Sequence, residues 1–392
     1  MTRNTTRRIA ATVGVVVVAA ATAFLVVAPG IVERSLNGFA AADLQPVDDA
    51  TVDLHNSLEI VDLHSDTLMW KRDLLERADR GRVDLPRLQE GNVALQVFSS
   101  VTKSPRGLNI DANTGDSDNI TLLAVAQLQP PRTWTSLLER SLHHAQKLER
   151  AAEKSDGRLV LVRSRTDLDA VIDARSAGED VTGALFSVEG LHNLEGDFSN
   201  IEALYDAGMR MAGFTHFFDN EVAGSMHGIN RGGLTDLGRW VFDDLEDRGV
   251  IVDIAHASPD TVSDILERAA RPVVSSHGGV RATCENNRNL TDEQIRGVAR
   301  TGGVIGIGYW DAAVCERTPS AVVDAIDHVI AVGGLETAAL GSDYDGSVTV
   351  GWDTSQLASI TQELRERGRT NDEVRAIMGG NSLRVLREVL PR

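Results

Sequence analysis

Cysteine is scarce in this chain, which has only two, Cys284 and Cys315, among its 392 residues. Two cysteines cannot build a framework of several disulfides, and their spacing does not match that of a zinc finger. One disulfide, in an exported protein, is the most that they support.

Positive charge is also in short supply. The 39 lysines and arginines are outnumbered by 57 aspartates and glutamates, so the formal net charge is -18. This balance argues against nucleic acid as a partner, because phosphate binding relies on basic side chains. A solvated acidic surface explains the excess of carboxylates, and only a local cluster of them could indicate a site that collects cations.

The clearest targeting signal is an apolar run at residues 9–32, rich in Val and Ala, that follows Arg3, Arg7 and Arg8. A helix of this length, at a rise of about 1.5 Å per residue, spans a bilayer. The arginines favour a cytoplasmic N-terminus with the rest of the chain exported. We predict an uncleaved membrane anchor over residues 1–32; a cleaved signal peptide is the alternative.

The remainder of the chain shows neither low complexity nor an obvious short repeat. Apolar strand-like runs alternate with amphipathic helical stretches. Strands are predicted at 58–63, 93–99, 159–162, 183–188, 209–215, 250–255, 272–276, 304–308 and 337–341. Helices are predicted at 132–153, 200–207, 236–248, 259–269, 291–301 and 320–332.

Apolar strands separated by helices indicate a parallel sheet that is covered on both faces. Eight or nine such units over about 340 residues predict an α/β fold, a (β/α)8 TIM-like barrel. The predicted domain organisation is the anchor at 1–32, a polar and irregular tether at 33–53, and a single barrel domain at 54–392.

Histidine and carboxylate residues stand at the ends of the predicted strands. The first strand runs into His64 and Asp66, whose spacing of two places both side chains on one face of an extended segment. Later strands end at Glu189, His216, His256, His277 and Asp343. Each residue alone could be a structural histidine or a turn-forming carboxylate. Together they are predicted to meet, because the carboxyl ends of barrel strands lie at one face.

Three histidines and two carboxylates of this set, namely His64, His256, His277, Asp66 and Glu189, suit two ions of the zinc class with one carboxylate bridging them. A metal pair of this kind supports hydrolysis, because it activates water and polarises a carbonyl group. The other histidines differ in setting. His143, His144 and His328 fall in charged helical stretches and are predicted to lie on the surface, and His192 and His227 lie in loops near the site and stay undecided.

Nine stretches carry a resemblance to a known family. They are DLHSD at 62–66, SVEG at 187–190, GMRMAGFTH at 208–216, GLTDLG at 233–238, VDIAHAS at 252–258, PVVSSH at 272–277, NRN at 287–289, GSDYDG at 341–346 and GNSLR at 380–384. In these motifs and in their order, the chain resembles the membrane dipeptidases (renal dipeptidase type) of the metal-dependent amidohydrolase superfamily. The resemblance covers residues 58–389, and it implies zinc-dependent hydrolysis of dipeptides.

The resemblance also assigns a metal ligand set. It implies that one zinc is held by His64, Asp66 and Glu189, and that a second zinc is held by Glu189, His256 and His277. Glu189 and a hydroxide would then bridge the two zinc ions.

Three further roles are implied in the same way. His216 would steady the developing oxyanion, and Arg288 would bind the free carboxylate of the substrate as a bidentate fork. Asp343 would meet the free amino group or pass a proton to the leaving amine. Without the resemblance, Arg288 would be read as a surface salt bridge.

The chain departs from the animal members of the family in two places. The loop at 217–228 has a different sequence, so the preferred side chains of the substrate cannot be carried over. Phe218 stands where those enzymes have a cysteine. Cys284 and Cys315 do lie in regions that are bridged in those relatives, so the resemblance implies a disulfide that an exported location would permit.

The sequence leaves alternatives open. A related hydrolase of the superfamily could act on another amide or ester, such as an N-acyl amino acid, and a non-catalytic binding protein could keep the same barrel. The expected partners are a small dipeptide and, through the N-terminal helix, a membrane; the resemblance adds a homodimer. The expected location is membrane-anchored or secreted, with the catalytic domain outside the cytoplasm.

Overall fold

The computed structural model describes residues 12, 25 and 27–392. Most of the anchor predicted at 1–32 lies outside these residues. No helix within the described part of the chain is long and apolar enough to cross a membrane. Residues 27–36 are helical and lead into the folded domain.

The centre of the fold is a single parallel sheet, and a strand is found at each of the nine predicted positions. The strands are β1 (Ile60–Ser65), β2 (Val93–Phe98), β3 (Leu159–Leu161), β4 (Thr182–Glu189), β5 (Met209–Gly213), β6 (Ile251–Asp253), β7 (Val274–Ser275), β8 (Val304–Ile307) and β9 (Ala338–Leu340). Their order in the sheet is β2-β1-β9-β8-β7-β6-β5-β4-β3, and β2 also pairs with β4.

The pairing of β2 with β4 closes the sheet into a barrel of eight strands. Strand β3 is left outside the barrel and pairs with the first residues of β4, from Thr182 to Ala184. The predicted (β/α)8 barrel is therefore confirmed, with one extra strand. Strands β1, β2, β4 and β5 are buried along their whole length, as expected for parallel strands that are covered by helices.

Helices surround this barrel. They are α1 (Asp49–Asn56), α2 (Leu85–Glu90), α3 (Ile120–Ala126), α4 (Leu137–Lys154), α5 (Arg165–Ser176), α6 (Asn200–Asp206), α7 (Asp236–Arg248), α8 (Pro259–Arg268), α9 (Asp292–Arg300), α10 (Asp311–Val314), α11 (Pro319–Gly333), α12 (Ala358–Glu366), α13 (Asn371–Arg375) and α14 (Asn381–Val389). The helix predicted at 132–153 does not run unbroken from residue 132. Helix α4 begins at Leu137, because the side chain of Ser136 caps it by accepting from the backbone N–H of Glu139.

Side-chain caps fix where several helices begin. Ser258 accepts from the backbone N–H of Thr261 at the start of α8, where Pro259 occupies the first turn. Thr291 and Gln294 form a capping box at the start of α9. Caps of this kind contribute about 1 kcal/mol each, and they set the length of the loops that precede the helices.

The segment predicted as a tether contacts the barrel. The backbone N–H groups of Ala40 and Ala42 donate to the carbonyls of Val350 and Gly351, at 3.1 and 2.9 Å. The predicted boundary after residue 53 falls inside α1. The functional division into anchor, tether and barrel domain stays a prediction.

Helix α1 carries a buried histidine that is expected to make the fold sensitive to acid. His55 is 4% exposed, and its ring nitrogens lie 2.8 Å from Thr361 Oγ1 and 3.2 Å from the carbonyl oxygen of Gly91. Burial lowers the pKa of His55 to about 4, although the Gly91 carbonyl opposes this effect. An unfolded histidine has a pKa of about 6.5, so the unfolded chain binds the extra proton as the pH falls from about 6.5 to about 4.

The substitution His55→Gln is therefore expected to reduce the acid sensitivity of folding. In the wild type, this one histidine removes about 2 kcal/mol of the free energy of unfolding between neutral pH and about pH 5. Urea unfolding of both proteins at the two pH values measures the difference. An equal loss of stability in the wild type and the variant would contradict the prediction.

Candidate metal centre

Eight predicted site residues come together at the carboxyl ends of the barrel strands. They are His64 in β1 and Asp66 just after it, Glu189 at the end of β4, His216 after β5, His256 after β6, His277 and Arg288 after β7, and Asp343 after β9. All eight are buried. Seven of them were predicted from the positions of the strand ends, whereas Arg288 was predicted only from the resemblance.

Glu189 lies at the middle of the cluster. Its Oε1 is 3.0 Å from His256 Nε2, 3.3 Å from His277 Nε2 and 3.8 Å from His64 Nε2. Its other oxygen, Oε2, is 3.6 Å from His216 Nε2. A single carboxylate therefore reaches imidazoles from four different strands, which is the arrangement that a bridging ligand requires.

A second part of the cluster surrounds His64. Its Nε2 lies 3.4 Å from Asp66 Oδ1 and 4.0 Å from Asp343 Oδ1. Three sets of residues bring one ligand atom each within 4.8 Å of one another: His64, Glu189 and His277; Glu189, His216 and His256; and His64, Asp66 and Asp343. Because Glu189 and His64 each belong to two sets, the sets form one continuous centre.

The chemistry of these donors fits divalent cations. His64 Nε2, Asp66 Oδ1 and Glu189 Oε2 are buried and have no hydrogen-bond partner among the described residues. Leaving such atoms unsatisfied costs about 1–3 kcal/mol each, and most buried polar atoms in proteins have a partner. Imidazole nitrogens and carboxylate oxygens at one point are the ligands that zinc prefers.

The charges of the cluster support the same conclusion. Burial raises the pKa of Glu189 well above its ordinary value, and the Asp66 carboxylate raises it further. Burial likewise raises the pKa of Asp343 to about 8, although His64 opposes the change. Carboxylates that are crowded in a dry site repel one another, and a cation removes this repulsion.

Two site residues adopt a backbone conformation that is uncommon for residues other than glycine. The φ angle is 63° for His256 and 58° for Asp343. The left-handed region costs an ordinary residue about 1–2 kcal/mol, and proteins retain such strain mainly at functional positions. These turns lie where the chain leaves β6 and β9.

Arg288 lies on the wall of the site and is not a surface residue. It is 5% exposed, its Nη2 donates to the carbonyl oxygen of His277 at 3.0 Å, and its guanidinium lies 5.8 Å from the centre of the Trp310 ring. Its loop is held by a disulfide between Cys284 and Cys315. This disulfide is the one that the resemblance implied.

We expect removal of the disulfide to act on stability and on substrate binding. In Cys284→Ser/Cys315→Ser, the cross-link over a sequence separation of 31 residues is lost, which is expected to lower the free energy of unfolding by about 3–4 kcal/mol. KM should rise more than kcat falls, because the loop that carries Arg288 is less ordered. Denaturant unfolding and steady-state kinetics measure the two effects, and a reductant should change the wild type but not the variant. Unchanged unfolding in the wild type after full reduction would contradict the prediction.

A cavity of about 280 Å³ opens onto the cluster. Its volume lies just below the range of about 300–1,000 Å³ that is typical of ligand sites, so it suits a small substrate. Apart from the site residues, the wall is largely apolar and includes Met69, Val101, Leu108, Ile110, Ile120, Phe217, Trp310 and Val348. Phe217 comes from the loop that differs from the animal enzymes.

Three histidines outside the cluster have partners of their own. His192 Nε2 lies 2.8 Å from Thr102 Oγ1, and His227 Nδ1 lies 2.8 Å from the carbonyl oxygen of Ile110. Neither belongs to a group of ligand atoms within the described residues. The prediction of a surface position is wrong for His144, which is 1% exposed and has its Nδ1 2.8 Å from Ser100 Oγ.

Asp345, which lies in the GSDYDG motif, and Arg72, which the sequence did not single out, join two of the loops at the site. Asp345 Oδ2 accepts from Thr67 Oγ1 at 2.8 Å and from the Arg72 guanidinium, and its Oδ1 accepts from the backbone N–H of Arg82 at 2.7 Å. The loop after β9 is therefore fastened to the loop after β1. The signal for Asp345 in the sequence was that it follows Asp343 by two residues.

A closed barrel of eight parallel strands, with buried histidines and carboxylates gathered at the strand ends, has the arrangement expected of a metal-dependent enzyme. Comparison with known proteins gives the family. The chain belongs to the membrane dipeptidase family (Peptidase family M19), whose model matches residues 48–390. It is thus a metallopeptidase that hydrolyses dipeptides.

Individual relatives agree with this assignment. The chain is 28% identical over 352 residues to Dipeptidase aclJ of Aspergillus oryzae, covering 84% of this chain and 78% of the relative. It is 27% identical over 358 residues to mouse Dipeptidase 3, covering 86% of this chain and 65% of the relative.

Solved structures share the fold. A metallopeptidase from Rhodobacter sphaeroides, in complex with a phosphinate mimic of the dipeptide L-Ala-D-Ala, has a TM-score of 0.69 at 20% identity, with 85% of this chain and 99% of that chain covered. The probable dipeptidase PvdM from Pseudomonas aeruginosa has a TM-score of 0.73 at 19% identity, with 87% and 98% covered.

Proposed function

We propose that this dipeptidase uses two zinc ions, one held by His64, Asp66 and Glu189 and the other by Glu189, His256 and His277. The observation that supports this most directly is the position of Glu189 Oε1, which lies within 3.8 Å of the Nε2 atoms of all three histidines. Zinc held by these residues would polarise the scissile carbonyl and lower the pKa of water, so that it would supply a nucleophile at neutral pH.

Arg288 and Asp343 bind the two ends of the substrate. Both side chains line the cavity, and they follow β7 and β9, which are separated in the sheet by β8. The guanidinium of Arg288 takes the free carboxylate, for which its planar fork is well shaped. Asp343 takes the free amino group or, as the alternative, passes a proton to the leaving amine. Two charged anchors at a fixed separation select dipeptides over longer chains.

His216 stabilises the oxyanion that develops on the scissile carbonyl. His216 Nε2 lies 3.6 Å from Glu189 Oε2, and the imidazole ring lines the cavity. Burial lowers the pKa of His216 well below its ordinary value, and the nearby His192 and His227 lower it further. The imidazole therefore acts as a neutral hydrogen-bond donor, which is a role worth about 3 kcal/mol in comparable sites.

A substrate panel tests the proposal. Free dipeptides, including L-Ala-D-Ala, are compared with their C-terminal amides and with N-acyl amino acids, each with and without a chelator. We expect the free dipeptides to be hydrolysed fastest and the chelator to abolish turnover. Faster hydrolysis of N-acyl amino acids would favour the alternative amide hydrolase, and no turnover of any substrate by the zinc-loaded protein would contradict the proposal.

We also propose that residues 1–32 anchor the enzyme in a membrane with the barrel outside the cytoplasm. The apolar run after three arginines supports this orientation, and a disulfide is typical of an oxidising compartment. Fractionation of cells that express the full chain tests the proposal. Recovery in the cytoplasm would contradict it, and recovery in the medium without the N-terminal segment would identify a cleaved signal peptide.

Homodimerisation, which the resemblance implies, is tested by light scattering.

A further inference from the structure

Two buried aspartates in the barrel make the same pair of contacts with a serine on a neighbouring segment. Asp253 in β6 accepts from the backbone N–H of Ser276 at 2.9 Å and from its hydroxyl at 2.5 Å. Asp62 in β1 accepts from the backbone N–H of Ser342 at 2.8 Å and from its hydroxyl at 2.5 Å. Each serine directly precedes a site residue, so each pair fixes the backbone at the point where a site side chain begins.

The two pairs differ in what else the serine contacts. Ser276 Oγ lies 2.8 Å from Nδ1 of its neighbour His277. Ser342 Oγ instead accepts from the backbone N–H of Tyr344 and lies 3.1 Å from the carbonyl oxygen of His64. Only the first pair therefore touches the imidazole of a proposed zinc ligand.

This contact decides which nitrogen of His277 carries its proton. A serine hydroxyl has a single hydrogen, and that of Ser276 is donated to Asp253 Oδ2. Ser276 Oγ must then accept from His277, so Nδ1 is protonated and Nε2 presents a lone pair. That lone pair points toward the centre, where Nε2 lies 3.3 Å from Glu189 Oε1.

The other proposed histidine ligands lack such support. Nδ1 of His64 and Nδ1 of His256 are buried and have no hydrogen-bond partner within the part of the chain that the structure describes. Of the three histidines, His277 alone has its Nδ1 held by a protein group there.

We propose that Ser276 and Asp253 are positioning residues that set the affinity of the zinc ion held by His256 and His277, and that they act through the Nδ1 proton of His277. The inference rests on the proposed zinc centre. Groups that accept the second ring N–H of a ligating histidine fix its tautomer and raise its basicity, and their loss lowers metal affinity by about 10–100-fold. Here a hydroxyl stands between the imidazole and the carboxylate.

Ser276→Ala and Ser342→Ala form a matched pair that tests this inference. Each removes the hydroxyl from an equivalent aspartate–serine pair, but only Ser276→Ala removes a partner of a ligand imidazole. The full chain is loaded with zinc, and zinc content and release to a chelator are measured. We expect one zinc ion of Ser276→Ala to bind about 10–100-fold more weakly, the other to be unchanged, and Ser342→Ala to keep the affinity of that same zinc ion. Equal weakening in both variants, or none in Ser276→Ala, would overturn the inference.

A second substitution keeps the test decisive if Ser276→Ala does not fold. Asp253→Asn preserves the shape of the side chain but removes the charge that polarises the hydroxyl, so we expect a smaller weakening of the same zinc ion. Ser276→Thr keeps the hydroxyl and should retain the wild-type affinity. Wild-type affinity in a folded Asp253→Asn variant would count against the inference. A wild-type protein that binds no zinc would instead contradict the proposed function, so the two failures are distinguishable.

Discussion

Replacement of Glu189 by glutamine is expected to lower kcat/KM for dipeptides by about 10³-fold or more, since an electrostatic feature of an active site alone is worth about 10²–10³. Both oxygens of Glu189 face imidazoles of the centre. An amide has the same shape but offers one neutral oxygen and one NH₂ group, and therefore cannot bridge two cations. We expect the variant to hold less zinc per chain than the wild type.

Glu179→Gln is the matched control for this substitution. It makes the same change in charge at an exposed position just before β4, whereas Glu189 ends that strand. Its zinc content and kinetics should equal those of the wild type. Zinc analysis and steady-state kinetics on all three proteins give the comparison. A Glu189→Gln variant that keeps its zinc and most of its turnover would show that the carboxylate does not bridge metals.

The substitution Arg288→Lys is expected to lower kcat/KM for free dipeptides by about 10²-fold. A bidentate pair between a guanidinium and a carboxylate contains two charge-assisted hydrogen bonds, each worth about 1.5–3 kcal/mol, and lysine cannot reproduce the fork. Arg281→Lys is the control from the same loop, because the Arg281 side chain donates to the backbone carbonyl of Asn289 and does not line the cavity.

The group that Arg288 binds is identified by measuring the wild type and Arg288→Lys with both a free dipeptide and a dipeptide amide. Removal of the carboxylate, as in a dipeptide amide, should cost the wild type a factor similar to that caused by Arg288→Lys. The two changes together should cost little more than either alone, because both remove one interaction. Additive losses would show that Arg288 acts elsewhere than on the carboxylate. Metal content is measured in parallel, because the guanidinium lies 3.4 Å from His256 Nε2.

Much of the fold could be predicted from the sequence, because buried parallel strands are apolar along their whole length and helices between them are amphipathic. The position of β3 outside the barrel could not be predicted. Its apolar run resembles the other eight, and only its pairing with the start of β4 places it outside the barrel. The packing of the segment around Glu33 could not be predicted either, because it depends on ion pairs with Arg72 and Arg80, which are distant in the sequence.

The clustering of the histidines and carboxylates could be predicted because the barrel brings strand ends together, whatever the intervening sequence. Arg288 could not be found in this way. It lies in an irregular loop, and its position depends on the disulfide and on the carbonyl of His277. His144 was misplaced because a charged helical stretch does not reveal which face of the helix is buried. Asp253 was missed because a carboxylate inside an apolar strand gives no sign of its partner.

Titration of the metal-free enzyme with zinc shows whether dipeptide hydrolysis depends on a centre of two zinc ions. Turnover of a free dipeptide is followed as zinc is added, and bound zinc is measured in the same samples. We expect turnover to be absent at the start and to reach its full value only as bound zinc approaches about two ions per chain. Full turnover in the metal-free protein, or two bound zinc ions without dipeptide hydrolysis, would contradict this expectation.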